Sequence, residues 1–303
     1  MSAPVRYQVR HQTVYAYAGS VAHAHHLLHL TPRETERQHC REHSLEVWPP
    51  AALRAQHTDV FGNLATGLEL DRAHDRFEVT TRMEVELAAV PVADAAVSLP
   101  WEQVRDSLQY SATALPAAQL EALRYRAQSP FVPVKRAFQD YAADCFAAGA
   151  PLLAAAEQLM ARINSEFTYQ RGATQIGTSL LEVLAKRRGV CQDYTHFMIA
   201  CLRSLGLPAR YVSGYLRTST GGDEPERLGA DASHAWVAVY APPHGWVELD
   251  PTNALRIAQD HVVLAWGRDF GDVSPLRGVI VGGGTHSLEV GVAVRRVTDP
   301  AAV

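Results

Sequence analysis

Three residues in the second half of the chain have types and settings suited to nucleophilic chemistry: Cys191, His234 and Asp250. Cys191 stands in the stretch Gly189-Val190-Cys191-Gln192-Asp193-Tyr194, directly after a basic turn. From there Tyr194, Phe197, Met198, Cys201, Leu202 and Leu205 recur at helical spacing until Gly206 and Pro208 end the pattern. The cysteine thus opens a helix, where unpaired N–H groups and the helix dipole favour a thiolate over a thiol. Cys201, deep in the apolar stripe, reads as structural. His234 begins one alternating segment and Asp250 ends the next, with the turn Pro242-Pro243-His244-Gly245 between them. A hairpin of that kind sets imidazole beside carboxylate. If the helix start faces that edge, the sulfur attacks a carbonyl carbon, His234 keeps it ionised and then protonates the departing amine, and Asp250 fixes the ring tautomer. Taken singly, His234 reads as a hydrogen-bonded strand histidine and Asp250 as a cap before Pro251. Their order and joint placement point to chemistry.

The elements around them follow an α+β pattern, helices first and then an antiparallel sheet. Residues 1–97 read as an N-terminal β-sandwich-like domain, with alternation at 5–10, 44–48 and 77–87 and turn signals at Gly19-Ser20, Pro49-Pro50 and Gly62-Asn63. Residues 98–150, with Pro100 and the Ser129–Pro133 stretch, read as a helical linker region. Residues 151–303 form the catalytic core with C-terminal strands. That core starts with a helix from Pro151 and a shorter one from Ser179, and its first strand covers 210–216. A polar loop at Thr218–Gly229 is long enough to form a rim.

Composition narrows the classes. The 303 residues suit two domains, and 47% hydrophobic with 20% charged residues is an ordinary globular balance. A net charge of −4 gives no electrostatic case for nucleic acid or an anionic membrane. Four cysteines, far apart and without a CxxC pair, argue against a disulfide framework or a structural zinc site. His23, His25, His26 and His29 cluster early, but no cysteine or carboxylate stands at ligand spacing, so no metal is expected there. Neither a signal-peptide core nor an apolar run of membrane length is visible, and the expectation is a cytoplasmic protein without a membrane partner.

The motifs Gly-Val-Cys-Gln-Asp-Tyr at 189–194, Ser-His-Ala-Trp-Val at 233–237 and Trp-Val-Glu-Leu-Asp-Pro-Thr-Asn at 246–253 resemble those of the transglutaminase-like core. The resemblance implies a papain-like α+β core with the triad on Cys191, His234 and Asp250, and no cofactor. The opening His11–Tyr17 and the tail Gly267–Val273 also look like the bacterial branch, whose members are described as transglutaminase-like proteins or cysteine proteases. Tyr169 is the side-chain candidate for an oxyanion hole beside the Cys191 N–H. Gln192, Asp193 and Trp236 are pocket candidates, although Asp193 also fits a helix-capping acid paired with Arg187 or Arg188. The expected partner is a peptide or protein amide substrate. Hydrolysis by a cysteine amidase or peptidase is favoured, because nothing marks an amine or calcium site. Protein-glutamine amine transfer is the alternative, and a non-catalytic binding module on the same fold is another. An arylamine acetyltransferase is disfavoured because Arg187-Arg188-Gly189-Val190 replaces its arginine-glycine-glycine approach.

Overall fold

Strand β1, Val5–Leu28, is 24 residues long and organises the N-terminal half. The computed structural model describes residues 3–89, 91–109, 114–217 and 233–297; the 218–229 rim read from the sequence lies outside them. Gly19-Ser20 does not end β1 as its turn signal predicts. The strand continues through a shift in register between Ala16 and Val21, since glycine lets a long strand bend without breaking its ladder. Strands β2 (Gln38–Trp48), β3 (Leu53–Thr58), β4 (Leu64–Leu70) and β5 (His74–Leu87) follow, and β1 pairs with β5 and then β4. Val5, Tyr7, Val9, Val21, Ala24 and Leu28 point inward, so the curled sheet encloses its own core.

Helices α1 (Trp101–Ser107), α2 (Ala117–Leu123) and α3 (Arg136–Ala142) occupy the stretch read as a linker. They are part of the same unit as the elements that follow them. Val104, Ala122, Phe138 and Tyr141 share one apolar core with α4 (Leu152–Glu166), β6 (Thr168–Tyr169), α5 (Leu180–Lys186) and α6 (Cys191–Ser204), with β7 (Arg188–Gly189) joining the last two. Interruptions at proline made this stretch look like a crossing, whereas its apolar side chains are spent on one buried face. An antiparallel sheet lies over α6. It comprises β8 (Ala209–Leu216), β9 (His234–Tyr240), β10 (Trp246–Asp250), β11 (Leu255–Arg256) and β12 (His261–Gly267), in the order β11-β10-β9-β8-β12. After α7 (Phe270–Val273) come β13 (Leu276–Gly282) and β14 (His286–Arg296).

These last two strands correct the sequence reading, which gave them to the core. Both pair antiparallel with β1, at Leu28↔Leu276 and Tyr7↔Arg296 among other positions, and complete the N-terminal sheet. Their alternation shows a strand but not its partner. Gly282, Gly283 and Gly284 all have positive φ, and a Cβ on Gly282 would lie 2.5 Å from the Ser20 carbonyl oxygen. Glycine there lets the link follow the bend of β1.

Strand β12 is an edge of the core sheet, and the N-terminal half supplies its missing partners. Gln38, almost fully buried, accepts from the Val263 N–H at 2.7 Å and donates to the Val263 carbonyl at 2.7 Å. Asn63 does the same at Trp266, accepting at 3.0 Å and donating at 2.8 Å. Two amide side chains thus stand in for a neighbouring strand. Gln38→Leu leaves the Val263 N–H unpaired, while the Val263 carbonyl keeps the Arg33 N–H at 3.2 Å, and is expected to cost about 1–3 kcal/mol. Denaturant unfolding would read this, and an unchanged midpoint would show the clamp to be dispensable.

Candidate active site

Helix α6 begins at Cys191 because its capping uses the third residue of the helix. Asp193 Oδ2 accepts from the Val190 N–H at 2.8 Å and from Thr174 Oγ1 at 2.6 Å. Gly189 makes room for that bend, since a Cβ there would fall 2.7 Å from the Asp193 Cβ. Asp193 is therefore a cap with a hydroxyl partner and not a residue paired with Arg187, which binds Glu166 instead. Burial pushes the Asp193 carboxyl up, against those two hydrogen bonds. The parallel pairing of β6 with β7 holds Tyr169 beside the helix start.

His234 and Asp250 meet as the sequence reading expects, but diagonally. The β9–β10 ladder ends at Leu249↔Val237, so continuing it sets Asp250 opposite Trp236. The His234 Nε2 to Asp250 Oδ2 distance is 2.8 Å, and both side chains are fully buried. Gly214 lies across from His234 in β8. A Cβ on Gly214 would sit 2.0 Å from the Val262 carbonyl and 2.6 Å from the Trp236 ring, so only glycine lets β12 close behind the histidine.

The Asp250 carboxylate is saturated with donors. Oδ1 accepts from the Thr252 N–H at 2.9 Å and the Asn253 N–H at 3.2 Å. Oδ2 accepts from Asn253 Nδ2 at 2.7 Å and lies 3.4 Å from His261 Nε2. Burial opposes the charge, but His234 and the hydrogen bonds from His234 and His261 outweigh it, holding Asp250 well below the usual carboxylate range. Burial likewise opposes a proton on His234, but the Asp250 charge and the adjacent Cys191 prevail and raise the imidazole well above its usual value. His234 Nδ1, fully buried, has no hydrogen-bond partner among the described residues. Cys191, only partly buried, is the sulfur beside that ring.

His261 was missed. It reaches Asp250 from β12, a strand whose apolar run between Asp260 and Gly267 was the available signal. His234, Asp250 and His261 also place three ligand atoms within 4.8 Å of one another. A divalent ion there would occupy the atoms that now join His234 to Asp250, so the set fits a hydrogen-bond relay better than a metal centre.

Cys191 and His234 open on a cavity of about 330 Å³. Tyr169 and Gln192 line it, as the sequence reading expects, together with Tyr211, Phe270 and Val290. Phe270 is placed through its N–H, which donates to His196 Nε2 at 3.1 Å. Trp236 does not line it. Its Nε1 donates to Glu248 at 2.9 Å, and its ring packs edge-on against His261 at 5.2 Å, forming the floor behind the His–Asp pair. The early histidines are spread over both faces of β1 and the residue just past its end. His23 and His25 are exposed, His26 stacks on Phe77 at 4.1 Å, and His29 is bonded to the Ser274 carbonyl.

A helix-borne cysteine facing a histidine–aspartate pair on an antiparallel sheet is the architecture of papain-like α+β proteins. Two family descriptions match this chain: the bacterial transglutaminase-like N-terminal region over residues 7–86 and the transglutaminase-like superfamily over 139–251. An uncharacterized protein of Mycobacterium tuberculosis is 36% identical over 287 residues, covering 92% of this chain and 89% of its own. A protein-glutamine gamma-glutamyltransferase of Pseudomonas aeruginosa is 34% identical over 125 residues, which cover 40% of this chain and 18% of its own. A solved structure from Cytophaga hutchinsonii, provisionally described as a cysteine protease, superposes with a TM-score of 0.75 at 20% identity, covering 98% of this chain and 92% of its own. The chain belongs to the bacterial transglutaminase-like family.

Proposed function

We propose that this protein is a thiol-dependent acyl-transfer enzyme that hydrolyses amide or peptide bonds, with Cys191 as nucleophile, His234 as acid–base and Asp250 as orienting group. The observation that carries the reading is one cavity lined by both Cys191 and His234, with His234 bonded from behind by a saturated carboxylate. The Cys191 thiolate adds to the amide carbon, and the oxyanion forms near the Cys191 N–H and Tyr169. Collapse breaks the C–N bond, and the imidazolium of His234 gives its proton to the departing amine. The thioester left on Cys191 is then attacked by water, whose proton returns to His234, and the acid is released.

Hydrolysis is placed first because amine transfer needs a bound amine and exclusion of water. Transfer is the second reading, and the local similarity to the Pseudomonas enzyme supports it. Both pass through the same thioester, so the test is what resolves it. Glutaminyl peptides are incubated with and without a primary amine, following ammonia, new amino termini and amine incorporation. The expected result is ammonia or chain cleavage at a rate the amine does not change, lost in Cys191→Ala. Incorporation outpacing hydrolysis would reverse the order.

A further inference from the structure

The inner face of the N-terminal sheet does not stop at the catalytic cavity. Val290 of β14 is one of the cavity walls. In the β1–β14 ladder Val290 pairs with Thr13, Leu288 with Tyr15 and His286 with Tyr17. Paired positions at this spacing share one face of an antiparallel sheet, so Val290, Leu288 and His286 run outward beside Tyr15 and Tyr17. The rings cluster there. Tyr15 and Tyr17 are nearly parallel at 6.1 Å, and His286 lies 5.4 Å from Tyr15 and 6.0 Å from Tyr17. Toward the interior this face merges with the buried core through Phe77 and Val292. At its outer end it stays open, with Leu288 51% and Val290 42% exposed. Apolar side chains left bare beside a catalytic cavity are unusual, since a strand in water normally turns its apolar face inward.

We propose that Tyr15, Tyr17, His286, Leu288 and Val290 form a shelf that binds a bulky apolar side chain of a peptide substrate whose carbonyl is presented to Cys191. The proposal rests on the acyl-transfer reading and names its substrate class. At about 3.3 Å per extended residue, the three positions from Val290 to His286 cover roughly 13 Å, so the bound side chain belongs within about four residues of the scissile carbonyl. The aliphatic pair at the cavity end offers no hydrogen bonds for sugar hydroxyls, and the flat rings beyond it suit an aromatic or branched side chain. The shelf also gives the N-terminal half a direct part in choosing the substrate.

The test uses the full-length chain carrying Cys191→Ala and fluorescein-labelled octapeptides with a central glutamine. One flanking position at a time is Phe, Leu, Ser or Glu, and binding is followed by anisotropy. Burying the side chain predicts about tenfold tighter binding of Phe than Ser at one or two positions. Leu288→Ser should erase most of that preference. Val290→Thr, which keeps the side-chain shape and the strand propensity, should reduce it as well. Equal affinity for Phe and Ser peptides at every position overturns the shelf, and so does a preference unchanged in both variants. A dimer that dissociates in Leu288→Ser, without peptide preference, also overturns it in favour of self-association. Turnover by the unsubstituted protein is read separately. Peptides that bind with the preference but are never processed sink the acyl-transfer reading alone, while processing without preference sinks the shelf alone.

Discussion

Iodoacetamide at pH 6 should modify Cys191 ahead of every other thiol, and His234→Ala should slow that reaction by on the order of a hundredfold. A lone thiol with the ordinary pKa of about 8.5 is ionised to well under about 1% at pH 6, so fast reaction there requires a neighbouring group, here His234, that favours the anion. The competing cysteines are disadvantaged. Burial and the nearby Glu34 push the Cys40 thiol up to about 11, and burial raises Cys145 and Cys201. Peptide mass spectrometry of the alkylated protein gives the rate at each site. Equal reaction at Cys191 in both proteins would mean that the histidine does not sustain the thiolate. The non-catalytic reading of the fold would then move to the front. In turnover the same substitution should cost about 10⁴-fold or more, the scale on which loss of a triad member acts.

Asp250→Asn should be nearly as damaging, through a different route. The carboxylate is what keeps a proton on a fully buried imidazole, and burial alone would drive that proton off. Since the His234 value is raised in the folded protein, the imidazolium exists at neutral pH and is lost only as pH rises through that raised value. Removing the charge moves this alkaline limb downward, so Cys191 alkylation and turnover should fall first at pH 7–8, with turnover down about 10⁴-fold as in the equivalent serine-triad change. Stability carries the opposite sign on the acid side. Asp250 is depressed in the folded state, so its contribution is complete above the unfolded carboxyl value of about 3.9 and drains away as pH falls toward the folded value. The asparagine variant should therefore lose less stability between pH 5 and 2 than the parent does. Matching pH profiles for the two proteins would show that Asp250 neither holds the proton nor pays an acid penalty.

Much of the site was legible because it depends on local rules. The start of α6 follows from the period of its apolar stripe, and the approach of His234 to Asp250 follows from a tight turn between two alternating segments. What escaped depends on distant partners. His261 shares no pattern with Asp250; only the placement of β12 at the sheet edge, under Gln38 and Asn63, brings it there. The pairing of β14 with β1 joins segments nearly the whole chain apart, so the shelf beside the cavity could not be read from either strand alone. Asp193 was read from its position as both pocket residue and cap, and Thr174, from an irregular stretch, settles it as a cap.

The bent strand β1 has a consequence for how the molecule comes into being. One of its edges is completed by β13 and β14, which follow all the helices and the whole second sheet in the chain. At the usual 5–20 residues per second, a ribosome takes roughly 10–40 s to pass from Leu87 to Leu276. During that interval the nascent chain has an open strand edge, the kind of surface that recruits unwanted neighbours. Cys191 emerges well before Val290, so its thiol is made before the cavity has all its walls. The face formed by Tyr15, Tyr17, Leu288 and Val290 is complete only once synthesis has passed β14.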